Sequence, residues 1–373
     1  MIGTEFRVEI DPKEIDDLRE RLLRTRWAAP EPVDDWSQGV PLDYAKDVAS
    51  YWVHGYDMNR VAERINVHPQ FLVEIDGVEI HVLHARSPHA QARPLVITHG
   101  WPGSVVEFLD VIPMLTDPPD PADAFHVVCP TLPGFGFSGK PTETGWTVQR
   151  IARAWAQVMA ELGYDRYWAQ GGDWGSFVTG DLGAVDPDHV AGIHMTLPRA
   201  PSVPDAELSD LDRQWLADAE EWRARGQGYS AQQSTRPQTI GYGLVDSPAA
   251  QLTWILDKFW AWTDNRGDLE SVISRDVLLD NVMLYWLPGA GVSSARIYWE
   301  NFPRHLGHDP VRVPMGASFF PREVVKTPRP WLERRFSDIR YFNTDLARGG
   351  HFPSLEVPKA FVAEVRACFR LMP

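Results

Sequence analysis

A chain of 373 residues, 44% hydrophobic and 11% aromatic with 16 tryptophans, is ample for a large core and pocket and implies two units or one domain with a long insertion. A net charge of −15 with no lysine-rich or arginine-rich block argues against a nucleic-acid or anionic-membrane partner. Cys129 and Cys368 lie far apart in apolar runs, the first residues carry charges where a signal peptide needs an apolar stretch, and no membrane-length apolar run occurs, so free buried thiols and a soluble, cytoplasmic protein are expected.

Asp11, Pro12 and Glu14 open a helix expected to reach Arg26, with Ile15, Leu18 and Leu22 on one face. Residues 27–39, rich in proline and polar residues, read as a meander. Two more helical stretches follow, one carrying Ala45, Val48, Ala49 and Trp52, the other Val61 and Ile65. Residues 1–70 are thus expected to form a helical and loop-rich extension that packs on a larger core and its cap.

The alternating run Phe71 to Ile75 meets Val78 to Leu83 across Asp76-Gly77, a two-residue hairpin signal. His81 and His84 are three apart on that strand and so point to opposite faces, which argues against a shared metal. Buried-strand runs at 95–98, 126–129, 167–170 and 190–195 alternate with helical stretches, notably 147–162. The pattern predicts an α/β fold with a mostly parallel sheet, its first part spanning 71–198.

Strand signals then stop. Over 199–291 helical patterns dominate, including Leu208-Leu211-Trp215 and Val277-Val282-Leu284-Tyr285, and a helical insertion at the strand ends is placed to act as a cap over a ligand. The second part of the core, 292–373, is expected to resume the sheet at Val311 to Met315 and Ile339 to Phe342 and to close on a helix over 358–371.

Gln170-Gly171-Gly172-Asp173-Trp174-Gly175-Ser176 joins a strand to a helix, with small residues two before and two after Asp173. That is the pattern of a nucleophile elbow, here carrying a carboxylate. A carboxylate attacks a saturated carbon and leaves an ester, whereas a serine suits an acyl carbon. His99-Gly100-Trp101-Pro102-Gly103-Ser104 follows an earlier strand and can turn a backbone N–H into the pocket beside that nucleophile as one half of an oxyanion hole, with the N–H of Trp174 as the other half. His99, Gly100 and Pro102 are expected to form the pocket loop. Gly134 to Gly139 contains a literal GxGxxG, but Pro141 stands where a dinucleotide fold needs its helix running. No cofactor and no metal are expected.

Arg348-Gly349-Gly350-His351 brings a histidine on a glycine-flanked loop after the last strand, a candidate base. Glu323, after the preceding strand, is its candidate orienting acid, with Asp338 and Asp345 as rivals.

Together QGGDWGS, HGWPGS, FFPRE and RGGHF resemble the microsomal-type epoxide hydrolases of the α/β-hydrolase superfamily, and the N-terminal meander resembles that family's N-terminal domain, so the likeness covers roughly 5–370. The resemblance implies an α/β-hydrolase fold with a helical cap, Asp173 as nucleophile, Glu323 as charge-relay acid, His351 as base, and Trp101 and Trp174 as oxyanion donors. It also implies two cap tyrosines that hold the epoxide oxygen: Tyr298, in SSARIY, and Tyr229, with Tyr242 as rival for the latter. The membrane anchor of mammalian members is not expected in this protein, which fits the soluble location expected above. Small-molecule epoxide and water are the implied partners, and an apolar or aromatic epoxide would be opened to a vicinal diol in detoxification or secondary metabolism. Haloalkane dehalogenases share an Asp-Trp elbow, and a silent member that only binds a ligand is the second alternative.

Overall fold

The structure is a computed structural model and describes residues 3–204, 207–302 and 309–372. Its strands are β1 (Thr4–Glu5), β2 (Gln70–Ile75), β3 (Val78–Ala85), β4 (Arg93–Thr98), β5 (Phe125–Pro130), β6 (Tyr167–Gly171), β7 (Val190–Met195), β8 (Met315–Ser318) and β9 (Ile339–Asn343). They form one sheet in the order β1-β2-β3-β5-β4-β6-β7-β8-β9. Pairing is antiparallel from β1 to β5 through β3 and parallel from β5 to β9. Asp76 and Gly77 take φ of 52° and 77°, the left-handed pair that a two-residue hairpin requires.

The chain leaves β4 toward β5 on one side and leaves β6 toward β7 on the other. Thr98 pairs with Gly171 at the last rung of β4 and β6, so the loops after both strands open at one level around a crevice. Such a reversal of strand order is where open α/β sheets bind ligands.

Before the sheet come α1 (Pro12–Leu23), α2 (Leu42–His54) and α3 (Arg60–Asn66). The Asp11 side chain caps α1 by accepting the Lys13 N–H, and Ile15, Leu18 and Leu22 are its buried face. α4 (Ile112–Thr116), α5 (Val148–Glu161) and α6 (Trp174–Val185) pack among the parallel strands. The middle of the chain supplies α7 (Asp210–Gly226), α8 (Gly228–Thr235), α9 (Pro237–Asp246), α10 (Pro248–Trp262), α11 (Arg275–Trp286) and α12 (Gly291–Asn301). α13 (Arg329–Arg335), α14 (Pro353–Glu356) and α15 (Pro358–Arg370) complete it. Among the described residues no helix is long and apolar enough to cross a membrane.

The N-terminal segment clasps the helices of the insertion through specific polar contacts. Trp36 stacks on Trp260 with ring centres 4.1 Å apart. The hydroxyls of Tyr51 and Tyr56 donate to Asp276 and Asp280, each at 2.7 Å. Asp280 is fully buried and also pairs with Arg60 and Arg64. Burying a carboxylate this deeply requires such partners.

Two expectations need correction. The strand expected at Val311 to Met315 starts only at Met315: Pro314 has no N–H to donate to a ladder, and Val311 makes an isolated bridge to Phe336. In Leu208-Leu211-Trp215, only Trp215 is buried, while Leu211 is half exposed and Leu208 precedes the helix. The boundary expected after 291 falls at the first residue of α12, which packs on α8 and α9.

Candidate active site

Asp173 sits between β6 and α6 with φ 47° and ψ −127°, a region that costs a non-glycine residue strain and that recurs at functional sites. The turn is possible because strand and helix nearly touch there. A Cβ on Gly171 would run into the Gly175 carbonyl, and one on Gly175 into that of Thr98. Ser176 locks the corner: its Oγ donates to Gly171 O at 2.7 Å and accepts the Leu197 N–H at 3.1 Å. Asp173 thereby lies at the N-terminus of α6, where free N–H groups and the helix dipole favour an anion.

The two carboxylate oxygens of Asp173 have different partners. Oδ1 accepts the Trp101 N–H at 2.8 Å. Oδ2 lies 3.2 Å from His351 Nε2; that approach is off-axis, so Nε2 is buried with no hydrogen-bond partner among the described residues. Trp174, the first residue of α6, offers a second N–H without an intrahelical acceptor.

The loop after β4 stands behind Asp173. Gly100 lies so close to Asp173 that a Cβ there would collide with the carboxylate. His99 is buried, with Nδ1 3.0 Å from Gly100 O and Nε2 accepting the Leu132 N–H at 3.2 Å. Burial lowers its pKa to about 4, so it is neutral. Gly100 thus backs the carboxylate, and His99, Gly100 and Pro102 are not among the residues that line the cavity. α11 holds the same loop: Asn281 Nδ2 donates to Pro102 O at 2.8 Å, and the Tyr285 hydroxyl donates to Gly103 O at 2.7 Å.

Glu323 Oε1 lies 2.7 Å from His351 Nδ1 and also accepts its neighbour Val324 N–H at 2.7 Å. Of the rivals, Asp338 is bound to Arg340, and Asp345 is exposed. Burial disfavours the imidazolium, but the carboxylates of Glu323 and Asp173 together outweigh it and hold the His351 pKa well above its usual value. The base loop is itself fastened. His351 N–H donates to Trp262 O at 2.9 Å, Arg348 pairs with Asp264, and Glu356 accepts the Phe352 and Asp264 N–H groups.

Tyr298 on α12 and Tyr229 on α8 meet above this pair. Tyr229 stacks on Trp101 with ring centres 5.0 Å apart and planes 7° apart, and Tyr298 meets Trp174 edge-on at 4.8 Å. Burial first, then neighbouring charge, raises both phenol pKa values, so both remain O–H donors. Tyr242 is 67% exposed, which removes it as the rival of Tyr229.

Asp173, His351, Tyr229 and Tyr298 line one cavity of about 100 Å³, with Trp262, Phe177 and Arg199 among its walls. A larger cleft of about 680 Å³ lies between the 133–146 loop and the outer face of α12, but it contains neither nucleophile nor base. Chemistry rather than size selects the smaller cavity.

Two contributors escaped the sequence reading. Trp262 faces His351 edge-on at 5.0 Å, and nothing in a tryptophan-rich helix distinguishes one indole. Glu107 was legible: Ser104-Val105-Val106-Glu107 is a capping-box pattern. Ser104 Oγ accepts the Val106 N–H, and the Glu107 carboxyl accepts the Gly100 and Ser104 N–H groups. Burial raises its pKa to about 8.

The chain matches two family models, "Epoxide hydrolase N terminus" over residues 3–108 and "alpha/beta hydrolase fold" over 93–239. It is 48% identical over 373 residues to a Stigmatella aurantiaca protein named "Putative epoxide hydrolase", covering 98% of this chain and 84% of that one. It is 32% identical to epoxide hydrolase 1 of Sus scrofa, covering 98% and 88%. Among solved structures it superimposes on juvenile hormone epoxide hydrolase of Bombyx mori with a TM-score of 0.92 at 28% identity, covering 98% and 94%. With Aspergillus niger epoxide hydrolase the TM-score is 0.89 at 31% identity, covering 99% and 96%.

Proposed function

The chain belongs to the epoxide hydrolase family of the α/β-hydrolase fold, and on that premise we propose that it opens an apolar or aromatic epoxide to a vicinal diol through an ester on Asp173. The observation that carries this reading is the division of labour at Asp173. One oxygen is held by the Trp101 N–H while the other faces His351, and the residue itself lines the cavity.

Asp173 Oδ2 attacks a ring carbon, and the C–O bond breaks as Tyr229 and Tyr298 hydrogen-bond the departing oxygen, one of them giving it a proton. The ester carries no charge, so one of the two carboxylates that favour the imidazolium is gone. The His351 pKa falls, and the imidazolium passes its proton to the tyrosinate, which leaves the ring neutral as a base oriented by Glu323. His351 takes a proton from water, hydroxide adds to the Asp173 carbonyl carbon, and the oxyanion is met by the Trp101 and Trp174 amides. Collapse breaks the ester bond, and the second diol oxygen takes its proton from His351. The carboxylic acid left on Asp173 returns its proton to His351, which restores the ion pair. Epoxide and water are consumed, and every group is restored.

We read the helices from α7 to α12 as the cap and residues 1–70 as a strap joining it to the core. The paired phenols favour this chemistry over haloalkane dehalogenation, since a departing halide needs N–H donors and takes no proton. The test is a His351→Gln protein mixed with styrene oxide. Intact mass should rise by the mass of the epoxide as the ester accumulates, with turnover reduced at least about a hundredfold. Unmodified protein with undiminished diol formation, or halide release from haloalkanes with no diol from epoxides, contradicts the reading.

A further inference from the structure

The cavity that holds Asp173 and His351 is also lined by two arginines, Arg199 and Arg223. Asp173 and His351 face each other, so the acid and the base of the wall account for one another. The arginines are left over. Among the described residues neither guanidinium has an ion-pair or hydrogen-bond partner; Glu323, the nearest acid to influence Arg199, is occupied by His351 and the Val324 N–H. In a chain with a net charge of −15, two guanidinium groups without a contact partner at one cavity leave an excess of positive charge there, which Glu323 offsets only from a distance.

Arg199 is held in place from behind. It lies in the segment between β7 and α7, and its carbonyl accepts Arg335 Nη1 at 3.0 Å, while Arg335 Nη2 binds Asp181 at 2.6 Å. That fixes the backbone from which the side chain reaches the cavity. No nitrogen of its guanidinium is among the sealed, unsatisfied polar atoms of the protein, so its donors open onto accessible space. Burial, and then Arg223, lower its pKa to about 10, which leaves it charged at neutral pH and still in want of an anion. A half-buried cation without a counterion is costly unless a ligand supplies one, and the planar guanidinium fork suits a carboxylate. Arg223, exposed on the last turn of α7, would guide such a group inward. Phe177, Trp222, Trp262 and Phe302 are among the other residues of the wall, which suits an apolar body.

We infer that Arg199, assisted by Arg223, binds an anionic group on the substrate, so that the epoxide taken by this site has an apolar or aromatic body ending in a carboxylate. This rests on the epoxide-opening reading above and narrows it. A neutral epoxide would fill the same walls but leave the guanidinium unpaired.

The experiment compares kcat/KM for a graded set of carboxylate epoxides with that for their methyl esters: 4-(oxiran-2-yl)benzoate and ω-epoxyalkanoates of increasing chain length. At least one carboxylate should exceed its ester by roughly tenfold to a hundredfold, the size of a charge-assisted hydrogen bond in a partly dry site. In Arg199→Met that ratio should fall to about one, and in Arg199→Lys it should be intermediate. Arg223→Met, on an exposed turn where folding is not at stake, should lower the ratio less and in a way that added salt reproduces. Esters matching or exceeding carboxylates across the set, or a ratio unchanged in Arg199→Met, overturn the inference while leaving epoxide opening intact. A wild-type protein that opens no member of any pair instead contradicts the hydrolase reading and this one with it.

Discussion

Behind the nucleophile lies a carboxyl that keeps its proton near neutrality. Glu107 is buried among the backbone of residues 100–104, and desolvation raises its pKa from 4.5 to about 8, with His351 opposing and Asp173 adding to the effect. An ionised Glu107 would face Asp173 with like charge, so the proton preserves the nucleophile's setting. The linkage has a definite sign. The unfolded chain releases this proton near 4.5 and the folded chain only near 8, so between those values the folded state binds more protons and loses stability as pH rises. Glu107→Gln keeps the shape and has no proton to lose. Its stability relative to wild type should therefore improve from pH 5 to pH 8 by about 2–4 kcal/mol. Urea unfolding at the two pH values reads this directly, and a difference that stays constant or reverses would show that Glu107 is ionised in the fold.

At the scale of elements, α11 couples the N-terminal segment to the oxyanion loop. Consecutive residues do this: Asp280 binds Tyr56, Arg60 and Arg64, while Asn281 binds Pro102 and Ser104. Asp280→Ala leaves the buried Tyr56 hydroxyl without its acceptor and takes from Arg60 and Arg64 the buried one of their two carboxylate partners, and should cost about 2–4 kcal/mol in urea unfolding; a cost below about 0.5 kcal/mol would assign this cluster no role beyond solvation. Legibility also divides by element. The hairpin at Asp76-Gly77 and the elbow at Asp173 were readable because each demands a backbone conformation that only a few residues permit. The strand near Val311 was misplaced because apolar alternation does not reveal that proline interrupts the ladder. Glu323 and Tyr229 rested on resemblance, since a loop acid and a helix tyrosine acquire meaning only when β8, β9 and α8 bring them to His351 and Trp101. Arg199 gave no signal at all, because a missing partner is visible only in three dimensions.

Across the molecule, one sheet end collects groups from β4, β6, α8, α12 and the loops after β8 and β9, and the N-terminal segment braces the helices that cover them. The cavity of about 100 Å³ is below the roughly 300 Å³ of typical ligand pockets, so on the proposed reading a bulky epoxide would enter only as the covering helices give way, a gating motion common to lidded enzymes. On the proposed reading, all of these parts serve the ester on Asp173. One turnover in oxygen-18 water, with enzyme in excess over styrene oxide, tests that directly. The label should appear in the Asp173 carboxylate and not in the diol, and should enter the diol from the second turnover onward. Label in the first diol with none in Asp173 would mean that water attacks the epoxide itself, and the central claim would be wrong.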